Sequence, residues 1–558
     1  MERVIRTWGT FATQSRSGRL LLLVVLCAVP PGVEAALVRQ SGLTATVNIS
    51  PQASALWPYG TFHDLRWVLV YHRSWAGFVG ESIAAIVMRG LFCTVLIALA
   101  WPSNMPRPSL PRLAARNVGF AALVGAVLSP WAALSVVVAA VSLTWFLFGE
   151  IAPMLILAPF LQRGGIVRGW WRGLPPAGTV ALSVLNFVTL TAGSALVAVV
   201  PGGWRIAAAA LAGGANGILW ERAVRIVLAH ETVRWRRTPI TPIAFAVVIG
   251  PMFTIGSIAR PGIDQSPSEP PALAKVEART KRPVIFLAGY DSHYGGQPSG
   301  FTPPIMRYSY NGLDPNGRPR PYNALATHQS LVTSAQLLAV QVDQVHRRTG
   351  QKVALLADSE GTLITRYYLT TMPHPHIDMV VMVSPLLRSG RIYYPPPQAN
   401  TGWGIATGWQ LRAIFAALGA VGDRPNSPDQ PFIRSFMDNA PLFRGKQVIC
   451  PIEGVQMIAF VPTLDAATNP PGLQTETPVV HVPGLHGLRL NDPVTQQRVI
   501  SFLNDGQRHE HRRWDYSVLQ RAGGAWQAPA LKVALNPVWH TVAGRSTRNY
   551  EADVCLQP

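Results

Sequence analysis

Residues 352–369 read KVALLADSEGTLITRYYL. The first six, KVALLA, are a short apolar run of the kind buried as a strand, and the last eight, TLITRYYL, carry apolar residues at helical spacing. Between them stands Asp358-Ser359-Glu360-Gly361. A chain that passes directly from a buried strand into a helix must bend sharply. A serine at such a bend presents its hydroxyl, provided the residues two before and two after it are small. Ala357 and Gly361 meet that condition. The helix that begins there aims its first amides and its dipole at the serine oxygen. The plainer alternative is a helix-capping serine after Asp358.

Outward from this bend the pattern repeats. PVIFLAG (283–289), DMVVMVS (378–384) and VQMIAFVP (455–462) are further apolar strand candidates, while 329–348 and about 493–503 have helical spacing. Such alternation predicts an α/β domain with a mainly parallel sheet.

On these residues the segment of about 283–503 resembles the α/β-hydrolase superfamily, on its lipase and esterase side. It has Ala357 where glycine is common and Ala288-Gly289 where many relatives have His-Gly. The resemblance implies a nucleophile, an acid and a histidine in that chain order. Ser359 is then the nucleophile, and Asp465, just after IAFVPTL, is the acid. His486, in Gly484-Leu485-His486-Gly487 before the last helix, is the base. Glu453 and Asp492 are rival acids. His481 is a rival base, although it sits in an apolar run that reads as strand. Two backbone amides must hold the oxyanion. The resemblance assigns them to Glu360 and to Tyr290, with Asp291 as the next choice. It also implies a lid within about 385–447, whose aromatic and apolar content suits an apolar acyl pocket; a packing insertion is the alternative. The loop GYDSHYGGQPSG (289–300) lacks the ending of a phosphate loop, and His293 in it reads as a loop histidine near the cleft. No Cys/His metal spacing occurs, so neither a metal nor another cofactor is expected.

The first half has a different character. Hydrophobic types make up 49% of the 558 residues and charged types only 14%, against ~25% in soluble chains. Mean hydropathy is +0.21. These values exclude a disordered chain, a coiled coil and an ordinary cytosolic enzyme. Residues 1–258 hold 20 Arg, no Lys and 7 acidic residues, a net of +13, whereas 259–558 hold 28 basic and 21 acidic residues, a net of +7. The total of +20 is mostly arginine spread along the chain, without a dense basic run, so nucleic acid is not an expected partner.

A bilayer core takes ~20 mostly apolar residues per helix. Stretches 19–35, 82–101, 117–133, 135–161, 178–200, 205–220 and 239–258 fit, with Ser129-Pro130 dividing the run 117–161. The expected architecture is an α-helical transmembrane bundle of six or seven spans over 1–258, a Pro/Ser/charge-rich linker over 259–282, the α/β domain over 283–504 and an extension over 505–558. The count is six if 20–35 is a signal cleaved after Val33-Glu34-Ala35. Fifteen arginines lie in 1–19, 102–116, 162–177 and 221–238, and few lie in the alternate segments. Positive segments stay in the cytoplasm, which places the α/β domain on the extracytoplasmic side of the cell membrane. There Cys450 and Cys555 can pair or stay as separate thiols, and Asn48-Ile49-Ser50 is a weak sequon. Glu150 and Arg89 lie within spans, as functional charges or as helix-orienting ones.

The expected function is a membrane-anchored serine hydrolase acting on apolar acyl esters, with the lipid bilayer as its partner. An acyltransferase using the same site is one alternative. The other is a transport or assembly protein with a catalytically silent hydrolase-like domain.

Overall fold

The computed structural model describes residues 15–40, 57–138, 151–230, 238–248, 280–296, 305–386, 398–402, 404–421, 429–443, 447–468, 475–487, 490, 492–506, 510–526 and 555. Glu150, Asn48 and linker residues 259–279 lie outside them.

The first half is helical: α1 (Arg16–Gln40), α2 (Tyr59–Tyr71), α3 (Trp75–Ala100), α4 (Leu110–Val138), α5 (Ala152–Leu161), α6 (Ala177–Val199) and α7 (Trp204–His230). Among the described residues, four helices are long and apolar enough to cross a membrane: Arg16–Gln40, Trp75–Ala100, Leu110–Ala133 and Ala177–Val199. This corrects the expected six or seven spans. Stretch 205–220 lies in the longer α7, whose later turns carry Glu221, Arg222 and Arg225. Stretches 135–161 and 239–258 are described only in part. Pro130 does not divide the chain either, because α4 runs through it. A proline removes one backbone donor, and a helix whose faces are packed tolerates that loss; Leu128, Trp131, Ala132 and Ala133 around it are buried.

Helix α2 was not foreseen. It is only 13 residues long and is buried on nearly every face, His63 and Arg66 included. Its charges are matched inside the bundle. Arg89 of α3 grips Asp64 through two hydrogen bonds of 2.7 Å, and His63 pairs with Glu34 of α1 at 2.9 Å. Arg89 thus ties α3 to α2, consistent with the rule that buried charges are paired.

Among its described residues the second half is built on six parallel strands: β1 (Val284–Leu287), β2 (Ile305–Arg307), β3 (Val353–Asp358), β4 (Ile377–Val383), β5 (Gln456–Pro462) and β6 (Val479–Val482), in the order β2-β1-β3-β4-β5-β6. Apolar side chains face both ways, as a parallel sheet covered on both sides requires. Leu355, Ala357, Val380 and Met382 join one core with α8 (Leu331–Thr349) and α9 (Glu360–Thr371). Ala354, Leu356, Val381 and Val383 join the other with α12 (Pro493–Asp505). The insertion after β4 contains α10 (Ile405–Val421) and α11 (Pro431–Asp438), and a last helix, α13 (Trp514–Gly524), follows α12. Cys450 and Cys555 form a disulfide.

The halves are joined by specific contacts. At the end of α2, Gly404 donates to the His72 carbonyl (2.9 Å), Ala406 donates to His72 Nε2 (2.8 Å), and Thr407 Oγ1 donates to the Leu69 carbonyl (2.7 Å). Ser129 of α4 donates to Gln410 of α10 at 2.8 Å. Just beyond α13, Trp526 stacks on Phe187 of α6 with centroids 4.7 Å apart, donates to Thr191 at 3.0 Å and accepts from Arg66 of α2. Trp526 is therefore a buried wedge between α2 and α6.

Candidate active site

The bend at 358–361 has the geometry its residues demand. β3 ends at Asp358, α9 starts at Glu360, and Ser359 between them has φ 50° and ψ −113°. A non-glycine residue in that region is strained by ~1–3 kcal/mol and persists only where its surroundings hold it. The Ser359 amide is held by the Val383 carbonyl at 3.0 Å. Gly361 is compulsory: a Cβ there would sit 2.7 Å from the Leu287 carbonyl oxygen. On the other side, a Cβ on Gly289 would come within 3.0 Å of Ser359 Cβ. Small residues thus bring β1, β3 and the start of α9 together.

The structure brings the three sequence-predicted residues into one relay. Ser359 Oγ donates to His486 Nε2 at 2.9 Å, and His486 Nδ1 donates to Asp465 Oδ2 at 3.0 Å. Asp465 is fully buried in the short turn Thr463–Thr468 after β5. That turn is tied to the histidine loop: Thr463 donates to the Val482 carbonyl (2.8 Å), and Leu464 donates to the Gly484 carbonyl (3.1 Å). Gly487 beside the histidine donates to Ser384 Oγ at 3.1 Å. The rivals are elsewhere. Asp492 caps α12, Glu453 is an exposed loop residue, and His481 is in β6, accepting from the Arg513 amide at 3.0 Å.

The candidate oxyanion donors flank the serine. Glu360 is the first residue of α9, where backbone amides have no acceptor within the helix. Of the two rivals for the second donor, Asp291 gives its amide to Thr327 Oγ1 at 3.0 Å, and Tyr290 directly follows Gly289, whose Cβ position lies against Ser359. The Tyr290 ring stacks on His328 at 4.5 Å, and its hydroxyl donates to Gln430 beside α11 at 2.6 Å.

Two features were not foreseen. Asp291, at φ 60°, binds His328 Nε2 at 2.7 Å and fixes the loop that carries Tyr290. These residues are 37 apart with no motif between them, so only the fold reveals the pair. The second is the Glu360 side chain, 2% exposed and set against the Tyr310 hydroxyl. Burial first, then the Asp291 charge, pushes its carboxyl well above the usual carboxylic range. A neutral Glu360 adds no repulsion to an anion forming at its own amide.

Among the described residues no group of three His, Cys, Asp or Glu side chains is arranged to hold a metal ion. Comparison with protein-family models, curated proteins and solved structures finds no match to this chain.

Proposed function

We propose that this protein is a membrane-bound serine hydrolase of acyl esters, and that its second half is an α/β-hydrolase domain. The observation that carries the reading is the relay Ser359–His486–Asp465, with both hydrogen bonds at ordinary length. The strained serine and the adjoining helix start support it further.

In this reading Ser359 Oγ attacks the ester carbonyl carbon while His486 Nε2 takes its proton. Asp465 fixes the imidazole tautomer and stabilises its positive form. The tetrahedral oxyanion lies against the Glu360 and Tyr290 amides. Collapse breaks the carbon–oxygen bond to the alcohol, which leaves with the proton from His486 and an acyl-serine behind it. Water, deprotonated by the same histidine, then releases the acid and restores the serine.

The substrate class follows from the insertion. Its helix α10 lies against α2, α3 and α4, and α11 touches Tyr290 through Phe432 at 5.5 Å. An apolar acyl ester resident in the bilayer suits a site whose cap rests on membrane helices. Transfer of the acyl group to an alcohol in place of water uses the same atoms.

Sidedness is part of the proposal. Arg19 donates to the Trp101 carbonyl and Arg116 to the Ile166 carbonyl, so arginine-rich segments meet at one rim of the bundle. The insertion docks beside His72 and Trp75, at the other end of α3. Positive-inside orientation and the Cys450–Cys555 disulfide both favour an extracytoplasmic site.

The test is a fluorophosphonate probe on the full-length protein. Wild type is expected to label, and Ser359→Ala and His486→Ala to lose the label. Labelling of an unaltered Ser359→Ala variant would overturn the reading and favour a catalytically silent domain within a transport or assembly protein.

A further inference from the structure

A cleft of about 610 Å³ opens at the arginine-rich rim of the membrane half, between α4 and the chain after α5. Its lining residues lie between Pro108 and Trp170, and none of them belongs to the site described above. From α4 it is lined by Arg112, Arg116, Phe120 and Leu123, positions spaced three and four apart and so on one face. The 12 residues from Arg112 to Leu123 span ~16 Å of helix. The wall therefore changes along its length, from two guanidinium groups in the opening turns to an aromatic and an aliphatic side chain deeper in the span.

The facing wall is built by a tight loop. Gly165, at φ 74°, presses against Asn117, leaving no room for a Cβ. The backbone is fixed by Arg116, which donates to the Ile166 carbonyl at 2.9 Å. The loop then presents Arg168 and Trp170, and Trp170 meets Phe120 edge-on at 4.9 Å. Arg112 and Arg168 are exposed. The lining contains no carboxylate.

We propose that this cleft binds an anionic phospholipid of the adjoining leaflet, with its phosphate among Arg112, Arg116 and Arg168 and an acyl chain along Phe120 and Leu123. Three cations at one end demand an anion, and the first-turn amides of α4 add to the positive potential. The apolar continuation into the span demands an alkyl chain. A free phosphate satisfies only the first requirement. Trp170 stands where an interfacial aromatic meets headgroups.

The test is native mass spectrometry of the full-length, delipidated protein titrated with phosphatidylglycerol or phosphatidylcholine. Wild type is expected to retain one phosphatidylglycerol in preference to phosphatidylcholine. The double variant Arg112→Gln/Arg168→Gln, whose side chains are exposed, is expected to elute normally on gel filtration and to bind about twenty-fivefold more weakly, on the order of fivefold per basic side chain. Arg39→Gln, at the opposite rim, is expected to bind as wild type does. Equal retention of the two lipids, or an unchanged double variant, would overturn the proposal. So would displacement of phosphatidylglycerol by millimolar inorganic phosphate, which assigns the site to the free anion. Loss of Ser359 labelling bears on the catalytic reading alone.

Discussion

Ser359 shows what a single strained residue contributes. Its dihedrals suit glycine. Ser359→Gly is therefore expected to abolish probe labelling yet raise stability by ~1 kcal/mol, the relief of strain less glycine's entropy in the unfolded chain; chemical denaturation measures it, and a destabilised variant would contradict the strain. Gly361→Ala runs the other way. Its methyl group meets a backbone oxygen that cannot swing aside, so a loss of at least ~2 kcal/mol is expected in the same measurement. Glu360 gives a pH signature. The folded protein keeps its proton while the unfolded chain releases it from about 4.5 upward. This contribution therefore falls as pH rises from 4.5 towards the raised value, by up to ~1.4 kcal/mol per pH unit. Glu360→Gln is expected to flatten that fall, and parallel stability–pH curves would refute it. At this scale the bend was legible because steric rules leave few residue types at positions 357 and 361. The Asp291–His328 pair was not, because its members meet only through the tertiary fold.

Among elements, α13 is the one whose importance the sequence concealed. Its Tyr516 stacks on His481 at 3.6 Å, and the Arg513 amide donates to His481 Nδ1. Burial, aided by the charges of Arg512 and His511, lowers His481 to about 4 from an ordinary 6.5. The unfolded chain binds this proton first as pH falls, so the stability it represents is present above pH 6.5 and lost between 6.5 and 4. Hydrogen exchange is expected to show α13 amides losing protection across that window, and unchanged protection would contradict the assignment. Trp526→Ala is expected to cost about 3–5 kcal/mol, the usual range for a buried tryptophan, read as the thermal midpoint of the purified protein. Strands β1, β3, β4 and β5 were legible because each is a short apolar run. The three-residue β2 was too short to signal, and α2 gave no apolar signal because its charged residues meet Glu34, Arg89 and the Trp526 carbonyl only through the tertiary fold.

In the whole molecule, the disulfide closes a loop of 105 residues. Chain-entropy arguments put its contribution at ~4–5 kcal/mol, so Cys555→Ser is expected to unfold at markedly lower denaturant concentration. Two-part organisation was legible from composition, because a bilayer and water select different residues. The docking of the halves was not. It depends on backbone carbonyls at Leu69 and His72 and on one aromatic near the carboxy end, none of which carries a periodic pattern.

The place of Trp526 has a consequence for biogenesis. The segment that wedges between α2 and α6 leaves the ribosome after every strand of the sheet and every helix it contacts. α13, just before it, packs against the turn bearing Asp465. A nascent chain thus lacks the brace for the turn bearing Asp465 until α13 itself has been synthesised, well after every strand of the sheet.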